Sequence, residues 1–264
     1  MSQVDRCSNL SLLEFQQEYA IPRKPVIITD ATEHWKARNW TPEHLAQIAP
    51  QAQIEAIPTN SRTLGETVPM TLKEYVDYFQ APDERKLYMI NWVFANDHPE
   101  LLNDFEIPIY FRDDWFQQTE DPPDLLWIFL GPSDSGLFMH LDVGHSPAWN
   151  VQLTGSKSWK LWPPDQESYL YGGKVDAFDP DLEQFPEFAR AKAVETEVHP
   201  GECIFVPSLW WHQTKNIDAG LALTANYVDQ FSYDIVVEKL KEDPEYRNFR
   251  RGLRKIARER VRKS

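Results

Sequence analysis

The stretch "PAWNVQLTGSKSWKLWP", residues 147–163, indicates the fold class most directly. On both sides of "TGS", aromatic and branched apolar residues alternate with polar ones, which is typical of β-strands. We predict two strands here, joined as a hairpin by the turn in "LTGSKSW", residues 153–159.

Similar short segments occur through the second half of the chain, including "KLYMINWVF", "LLWIFLG", "GECIFVP" and "LALTANYV". They are separated by Gly, Pro, Ser or Asp, and repeated antiparallel strands at such spacing predict a mainly β sandwich or barrel. The first part differs, because residues 9–80 carry helix start signals around the short strand "PVIIT". We therefore expect a helical segment at 1–85 that packs on a barrel at 86–232, followed by a helical tail at 233–264.

The net charge of −14 is distributed unevenly along the chain. Residues 246–264 carry nine Lys or Arg and one Glu, a net charge of +8, so residues 1–245 carry −22. An acidic body favours cationic partners and repels nucleic acid. In the tail, apolar residues recur at helical spacing, which predicts an amphipathic helix with a solvated basic face: Phe249, Leu253, Ile256 and Ala257. An arm that binds nucleic acid is the less favoured alternative.

Targeting and redox signals are sparse. The chain has no run of about 18 apolar residues, and "MSQVDRCSNL" lacks the pattern of a secretory signal. Two cysteines, Cys7 and Cys203, provide no disulfide framework. These observations predict a soluble intracellular protein, in the cytoplasm or the nucleus, with no membrane partner; they do not indicate an oligomeric state.

A candidate metal site begins in "GLFMHLDVGHSPAWN", residues 136–150. If this segment is extended, His140 and Asp142 point to the same side, because side chains two apart in a strand share a face. His212, in "FVPSLWWHQTKNID", is a third candidate; two histidines and one carboxylate suit Fe(II) and leave coordination positions open. The other histidines fall in turns, helices or loops, and we interpret His145 as a loop residue near the rim.

A candidate anion site lies in the adjoining strands. Alternation places Lys157 on the same face as Trp159 and Leu161, so its ammonium group needs an anionic partner unless the side chain extends to the surface. Thr224 and Asn226 also share a face and add a hydroxyl and an amide. Together these groups indicate a site for a carboxylate.

In order and spacing, the motifs His140-x-Asp142, "PAWNVQLTGSKSWKLWP", "PGECIFVPSLWWH" and "LTANY" resemble those of the jumonji-C oxygenases. The similarity is greatest to the lysyl hydroxylase and arginine demethylase branch once named the phosphatidylserine receptor, and it extends over most of residues 9–230. The resemblance implies a jelly-roll, cupin-like double-stranded β-helix with flanking helices. It also implies an enzyme that uses Fe(II), 2-oxoglutarate and O2 to hydroxylate an unactivated carbon, with release of succinate and CO2.

Matched position by position, the resemblance implies that His140, Asp142 and His212 are the iron ligands. Lys157 matches the lysine that pairs with the distal carboxylate of 2-oxoglutarate, and the further cosubstrate contacts would be Thr224, Asn150, Tyr88 and Asn226. One position departs from the pattern. Leu137 stands where relatives often have a threonine that contacts this carboxylate, so one hydrogen bond is missing there.

Several functions are compatible with these residues. The leading interpretation is a 2-oxoglutarate-dependent dioxygenase that hydroxylates, or oxidatively demethylates, a side chain in a Lys/Arg-rich polypeptide. The alternatives are a hydroxylase of a tRNA base or a small molecule, a metal-containing cupin that needs no cosubstrate, and a binding module without catalysis. Lys157 with Thr224 favours the cosubstrate-dependent class, and the intact set of three ligands disfavours a non-catalytic module.

Overall fold

A computed structural model of the protein describes residues 3–242 and 244–262. Over these residues, twelve strands form two sheets. The strands are β1 (Asp5–Cys7), β2 (Val26–Ile28), β3 (Gln53–Ile57), β4 (Val68–Thr71), β5 (Tyr88–Val93), β6 (Leu126–Gly131), β7 (Ala148–Thr154), β8 (Lys157–Trp162), β9 (Val194–Val198), β10 (Cys203–Val206), β11 (Trp211–Asn216) and β12 (Gly220–Asn226).

Helices flank the sheets. The α-helices are α1 (Leu12–Phe15), which continues as a π-helical turn (Gln16–Ala20), α2 (Pro42–Ile48), α3 (Leu72–Gln80), α4 (Tyr233–Lys239) and α5 (Arg247–Val261). Short 3-10 turns lie at Lys36–Asn39, Leu64–Glu66, Pro99–Asp104, Ile109–Phe111, Val143–His145, Pro164–Tyr169, Tyr171–Gly173, Pro186–Arg190 and Pro244–Tyr246. The predicted capping boxes are confirmed, since Ser11 with Glu14 begins α1 and Thr71 with Glu74 begins α3.

The two sheets differ in size. The large sheet has the strand order β1-β2-β10-β7-β12-β6-β5-β3-β4, and the small sheet has the order β11-β8-β9. All neighbours are antiparallel except β1 and β2. From β7 onward the chain passes repeatedly from one sheet to the other, which is the jelly-roll arrangement that the resemblance implies.

The predicted hairpin at residues 153–159 is wrong. β7 pairs with β10 and β12 in the large sheet, whereas β8 pairs with β9 and β11 in the small sheet. The turn therefore carries the chain between sheets. Gly155 has a φ of +66°, and a Cβ there would lie 2.4 Å from the Ala219 carbonyl oxygen, so the turn packs against the chain just before β12.

Gly155→Ala is expected to destabilise the protein by about 2 kcal/mol or more, because alanine adds both left-handed strain and a backbone clash. Gly172→Ala is the matched control: its φ is +62°, but nothing lies within 4 Å of the added Cβ. We expect only about 1 kcal/mol for that strain alone. Thermal unfolding of both variants checks this, and equal losses would contradict the close packing of the turn.

The N-terminal segment does more than pack helices on the barrel. Residues 1–85 contain α1, α2 and α3 as well as β2, which is the predicted strand "PVIIT". They also contain β1, β3 and β4, which were not predicted, and together with β2 these strands extend the large sheet at both ends. β3 carries Gln53 and Glu55 on its exposed side, and β4 contains Pro69, a residue that is unusual within a strand, so local patterning did not predict them. The domain division at residues 85 and 232 stays a prediction.

The apolar core has two main layers. The outer face of the large sheet packs under the N-terminal helices, with Phe15, Leu45, Leu72 and Trp149 among its members. A second cluster joins β8 to β2 and β10. Between the sheets, toward one end, the side chains leave a cavity.

The C-terminal helix packs on the body through one face. Leu253 and Ile256 are buried in a cluster with Trp115 and α4, and Phe249 and Ala257 pack beside them, as the spacing predicts. Lys263 and Ser264 lie outside the described residues. In the part of the chain that the structure describes, no helix has the length and apolar character needed to cross a bilayer.

Candidate active site

Two histidines are paired across strands at one end of the cavity. His140 and His212 form an isolated antiparallel bridge, in which the backbone N–H of each donates to the carbonyl oxygen of the other at 3.0 Å. Residues directly opposite in an antiparallel pair extend their side chains to the same face. Accordingly, the centroids of the two imidazole rings lie 4.2 Å apart.

Asp142 completes the cluster. It lies at the N-cap of the 3-10 turn Val143–His145, and its Oδ2 is 3.9 Å from Nε2 of His212. One potential ligand atom from each of His140, Asp142 and His212 lies within 4.8 Å of the others. The His-x-Asp spacing and the distant histidine thus meet in space.

Both imidazoles are oriented for coordination. Nδ1 of His140 is 2.8 Å from the Phe138 carbonyl oxygen, and Nδ1 of His212 is 3.1 Å from that of Trp210. A carbonyl only accepts, so each Nδ1 carries the proton and each Nε2 keeps a lone pair. Burial, and secondarily the neighbouring His212, lowers the pKa of His140 to about 4, so this ring is neutral at pH 7. This donor set fits Fe(II).

Lys157 is buried without an anionic partner. Its side chain is 2% exposed, its Nζ donates to the Tyr88 hydroxyl at 3.0 Å, and it lies over the rings of Tyr88 and Phe129. Among the described residues, no carboxylate oxygen lies within 4.0 Å of this nitrogen. Burial lowers the pKa of Lys157 to about 7, which an incoming anion would reverse. The lysine therefore fits the carboxylate of a ligand.

One cavity of about 500 Å³ connects the histidine cluster with Lys157. Both sheets line it, since Asn150 and Thr224 come from the large sheet while Lys157 and His212 come from the small one. The rest of the wall is largely apolar, with Leu137, Phe138, Trp127, Phe129 and Trp159. A mostly apolar wall with a few polar groups is usual for small-molecule sites.

The other predicted cosubstrate contacts differ in their surroundings. Asn150 faces the cavity with a buried Oδ1 that has no hydrogen-bond partner among the described residues. Asn226 also lines the cavity, and its Nδ2 contacts the Pro147 carbonyl oxygen at 3.4 Å. Thr224 also lines it, but its hydroxyl donates to the Trp149 carbonyl oxygen at 2.7 Å. Tyr88 lies behind Lys157 and does not line the cavity.

The other residues near the site differ in whether they face the cavity. His145 falls in the 3-10 turn beside Asp142, outside the histidine cluster, and its buried Nδ1 has no hydrogen-bond partner in the part of the chain that the structure describes. Trp127 and Trp159 form part of the wall, whereas Trp149 packs in the core. Thr214 lines the cavity and was not predicted, although its position two residues after His212 was a usable signal.

Comparisons with known proteins agree with this fold. A family model described as a cupin-like domain matches residues 12–233. The relatives include lysine-specific demethylase JMJ21 of Arabidopsis thaliana, 32% identical over 88% of this chain and 26% of that protein. Bifunctional arginine demethylase and lysyl-hydroxylase psr-1 of Caenorhabditis elegans is 32% identical over 83% of this chain and 59% of its own length.

A third relative is 2-oxoglutarate and iron-dependent oxygenase JMJD4 of Homo sapiens, 29% identical over 84% of this chain and 60% of that protein. The chain thus spans between about a quarter and three fifths of the length of these relatives. The resemblance to jumonji-C proteins drawn from the motifs is confirmed, and the chain belongs to the cupin-like domain family.

Proposed function

We propose that this chain is an Fe(II)- and 2-oxoglutarate-dependent oxygenase that hydroxylates, or oxidatively demethylates, a polypeptide side chain. The observation that carries the proposal is that one cavity contains both the His140, Asp142 and His212 cluster and the buried amino group of Lys157. The names of the relatives, which include arginine demethylases, a lysyl-hydroxylase and an iron-dependent oxygenase, agree with it.

In this proposal His140, Asp142 and His212 bind the iron. Bound iron and 2-oxoglutarate supply the chemistry, in which O2 oxidises a substrate C–H bond to C–OH while the cosubstrate becomes succinate and CO2. Lys157 pairs with the distal carboxylate and is positioned by Tyr88 behind it. Asn150 offers an amide, and Thr224 and Asn226 shape the same wall.

The apolar wall has its own role. Trp127, Phe129 and Trp159 exclude water around the two charged ends of the site, so that each contact to the cosubstrate is stronger than in solution. The side chain of Leu137 adds to this apolar surface and offers no hydrogen-bonding group.

The experiment that tests the class is a succinate assay. Purified protein with Fe(II), 2-oxoglutarate and O2 should form succinate, and a peptide substrate should gain the mass of one oxygen atom or lose a methyl group. A metal-containing cupin without cosubstrate, or a binding module, would form no succinate above the metal-free control.

For the substrate we propose a Lys/Arg-rich polypeptide segment, because residues 1–245 carry a net charge of −22 and opposite charge speeds association. Turnover of a basic peptide should fall as salt is raised above about 0.1 M, where the Debye length is about 10 Å. For a matched peptide in which Gln replaces each Lys and Arg except the target residue, turnover should depend only weakly on salt concentration. Equal turnover of both peptides at every salt concentration would contradict this substrate class.

Nucleic acid is the second candidate, favoured by one face of α5. Lys255 pairs with Glu120 and Arg260 pairs with Asp113, whereas five arginines have no carboxylate within 4.0 Å among the described side chains: Arg247, Arg250, Arg251, Arg254 and Arg258. Arginines of this kind bind phosphates.

Replacing arginines of α5 by neutral residues distinguishes a polypeptide substrate from a nucleic-acid substrate. It leaves α5 in place, which matters because the apolar face of α5 is buried against the rest of the protein. Arg250→Gln with Arg254→Gln should spare turnover of a basic peptide, and the control pair Lys73→Gln with Lys241→Gln removes the same charge from positions outside α5. If oxygen appears on tRNA alone, and only the arginine pair abolishes it, the polypeptide proposal is wrong.

A further inference from the structure

A carboxylate beside Lys157 needs hydroxyl or amide donors as well as the ammonium group, since a buried anion with free lone pairs is costly. Thr224 is the hydroxyl that the sequence predicts for this purpose. In the structure its Oγ1 lies 2.7 Å from the Trp149 carbonyl oxygen. That oxygen only accepts, so the single hydroxyl proton of Thr224 is already donated to it, and the lone pairs that remain would repel a carboxylate.

Thr214 offers a hydroxyl at a better position. It lies on β11 two residues after His212, so both side chains face the cavity, while Gln213 between them turns away to Asp176. In the pairing of β11 with β8, Thr214 is opposite Trp159 and Asn216 is opposite Lys157. Thr214 is thus midway along the strand between the histidine cluster and the level of Lys157.

The hydroxyl of Thr214 is free to donate. The residue is 7% exposed and lines the cavity, and within residues 3–242 and 244–262 its side chain has no hydrogen-bond partner. A ligand that joins the metal cluster to Lys157 spans the level of this hydroxyl, because the two ends lie on either side of Thr214 along β11 and β8.

We infer that Thr214, and not Thr224, is the threonine that donates a hydrogen bond to the distal carboxylate of 2-oxoglutarate, and that Thr224 positions the β7 backbone instead. This inference rests on the proposed function and deepens it. It also explains how the site can function with Leu137 in place of a threonine. The N–H of Thr214 donates to the Leu137 carbonyl oxygen at 3.2 Å, so Thr214 lies beside Leu137 and supplies the hydroxyl that Leu137 lacks.

The test is calorimetric binding of two ligands to Mn(II)-loaded protein, which avoids turnover. One ligand is 2-oxoglutarate, and the other is 2-oxobutanoate, a 2-oxo acid without the second carboxylate. Thr214→Val should weaken 2-oxoglutarate roughly tenfold, as expected for a hydrogen bond to a charged group. It should leave 2-oxobutanoate unchanged, a split that general damage to the site would not produce.

Three further variants complete the design. Thr214→Ser keeps the hydroxyl and should bind 2-oxoglutarate like the parent. Thr196→Val is the matched control. Thr196 in β9 pairs with Trp159 as Thr214 in β11 does, but from the neighbouring strand on the other edge of β8, and it does not line the cavity. Thr224→Val should lower the melting temperature, because its hydrogen bond to the Trp149 carbonyl oxygen is lost. It should weaken 2-oxoglutarate binding less than Thr214→Val does.

The outcomes separate the inference from the function. Parent-like 2-oxoglutarate affinity in Thr214→Val, an equal loss for both ligands, or a loss confined to Thr224→Val would overturn the role of Thr214. If the parent protein binds no 2-oxoglutarate in the presence of metal, the proposed function itself is wrong.

Discussion

Asp142→Ala is expected to abolish bound iron and turnover while the protein stays folded. Asp142 provides the only carboxylate oxygen in the cluster among the described residues, and even the outer-shell partners of metal ligands are worth roughly 10- to 100-fold in affinity. Loss of a ligand itself should therefore exceed about 100-fold. His140→Ala and His212→Ala should behave in the same way.

Metal content by mass spectrometry and succinate formation measure this effect. His145→Ala is the matched control, since His145 lies three residues from Asp142 but outside the cluster, and it should keep its iron. Iron content in Asp142→Ala equal to that of the parent, or an equal loss in His145→Ala, would contradict the ligand set.

Lys157→Met is expected to weaken 2-oxoglutarate binding by on the order of 3 kcal/mol, or roughly 100-fold, because one partner of a buried charge pair is removed. Methionine fills most of the same space among Tyr88 and Phe129. Lys160→Met is the control on the same strand, since Lys160 lies on the outer face 3.4 Å from Glu195. Binding of 2-oxoglutarate by Lys157→Met at parental affinity would contradict this role.

The same lysine predicts two pH effects. Burial lowers the pKa of Lys157 to about 7 in the folded protein without ligand, whereas an unfolded lysine titrates near 10.4. The burial penalty is therefore fully present below pH 7 and disappears as the pH approaches about 10. Relative to Lys157→Met, the parent should gain about 1.4 kcal/mol of unfolding free energy per pH unit across this window.

Binding shows the opposite trend. The carboxylate pairs with the charged amine, so affinity for 2-oxoglutarate should decline as the pH rises above about 7, with proton uptake on binding. Calorimetry in two buffers of different ionisation enthalpy measures that uptake. Binding without a net proton change at pH 8 would mean that Lys157 keeps its charge in the free protein.

Local patterning predicted which groups would meet at the site. Side chains two apart in a strand share a face, and this rule places Lys157 with Trp159 on β8. His140 and Asp142 also lie together as predicted, but outside any strand, since His140 forms an isolated bridge and Asp142 precedes a 3-10 turn. Local patterning also predicted the amphipathic face of α5 through Leu253 and Ile256. These features depend on neighbours in sequence, so the sequence contains the necessary information.

Features that depend on distant partners were missed. Whether "TGS" joins strands of one sheet or crosses to another is decided by the contact of Gly155 with Ala219, 64 positions away. β9 and β11 are rich in polar and charged residues, such as Glu195, Glu197 and Lys215, and have less apolar content than most of the strands that were predicted. The choice between Thr214 and Thr224 depends on a hydrogen bond to Trp149, which only the paired strands reveal.

The most direct test of the central claim is a crystal structure of the protein grown without oxygen in Fe(II) and 2-oxoglutarate, with anomalous scattering recorded at the iron edge. We predict one iron peak bonded to His140, Asp142 and His212, with 2-oxoglutarate extending from it to Lys157. An iron peak elsewhere, or a ligand whose distal carboxylate lies away from Lys157, would contradict the account.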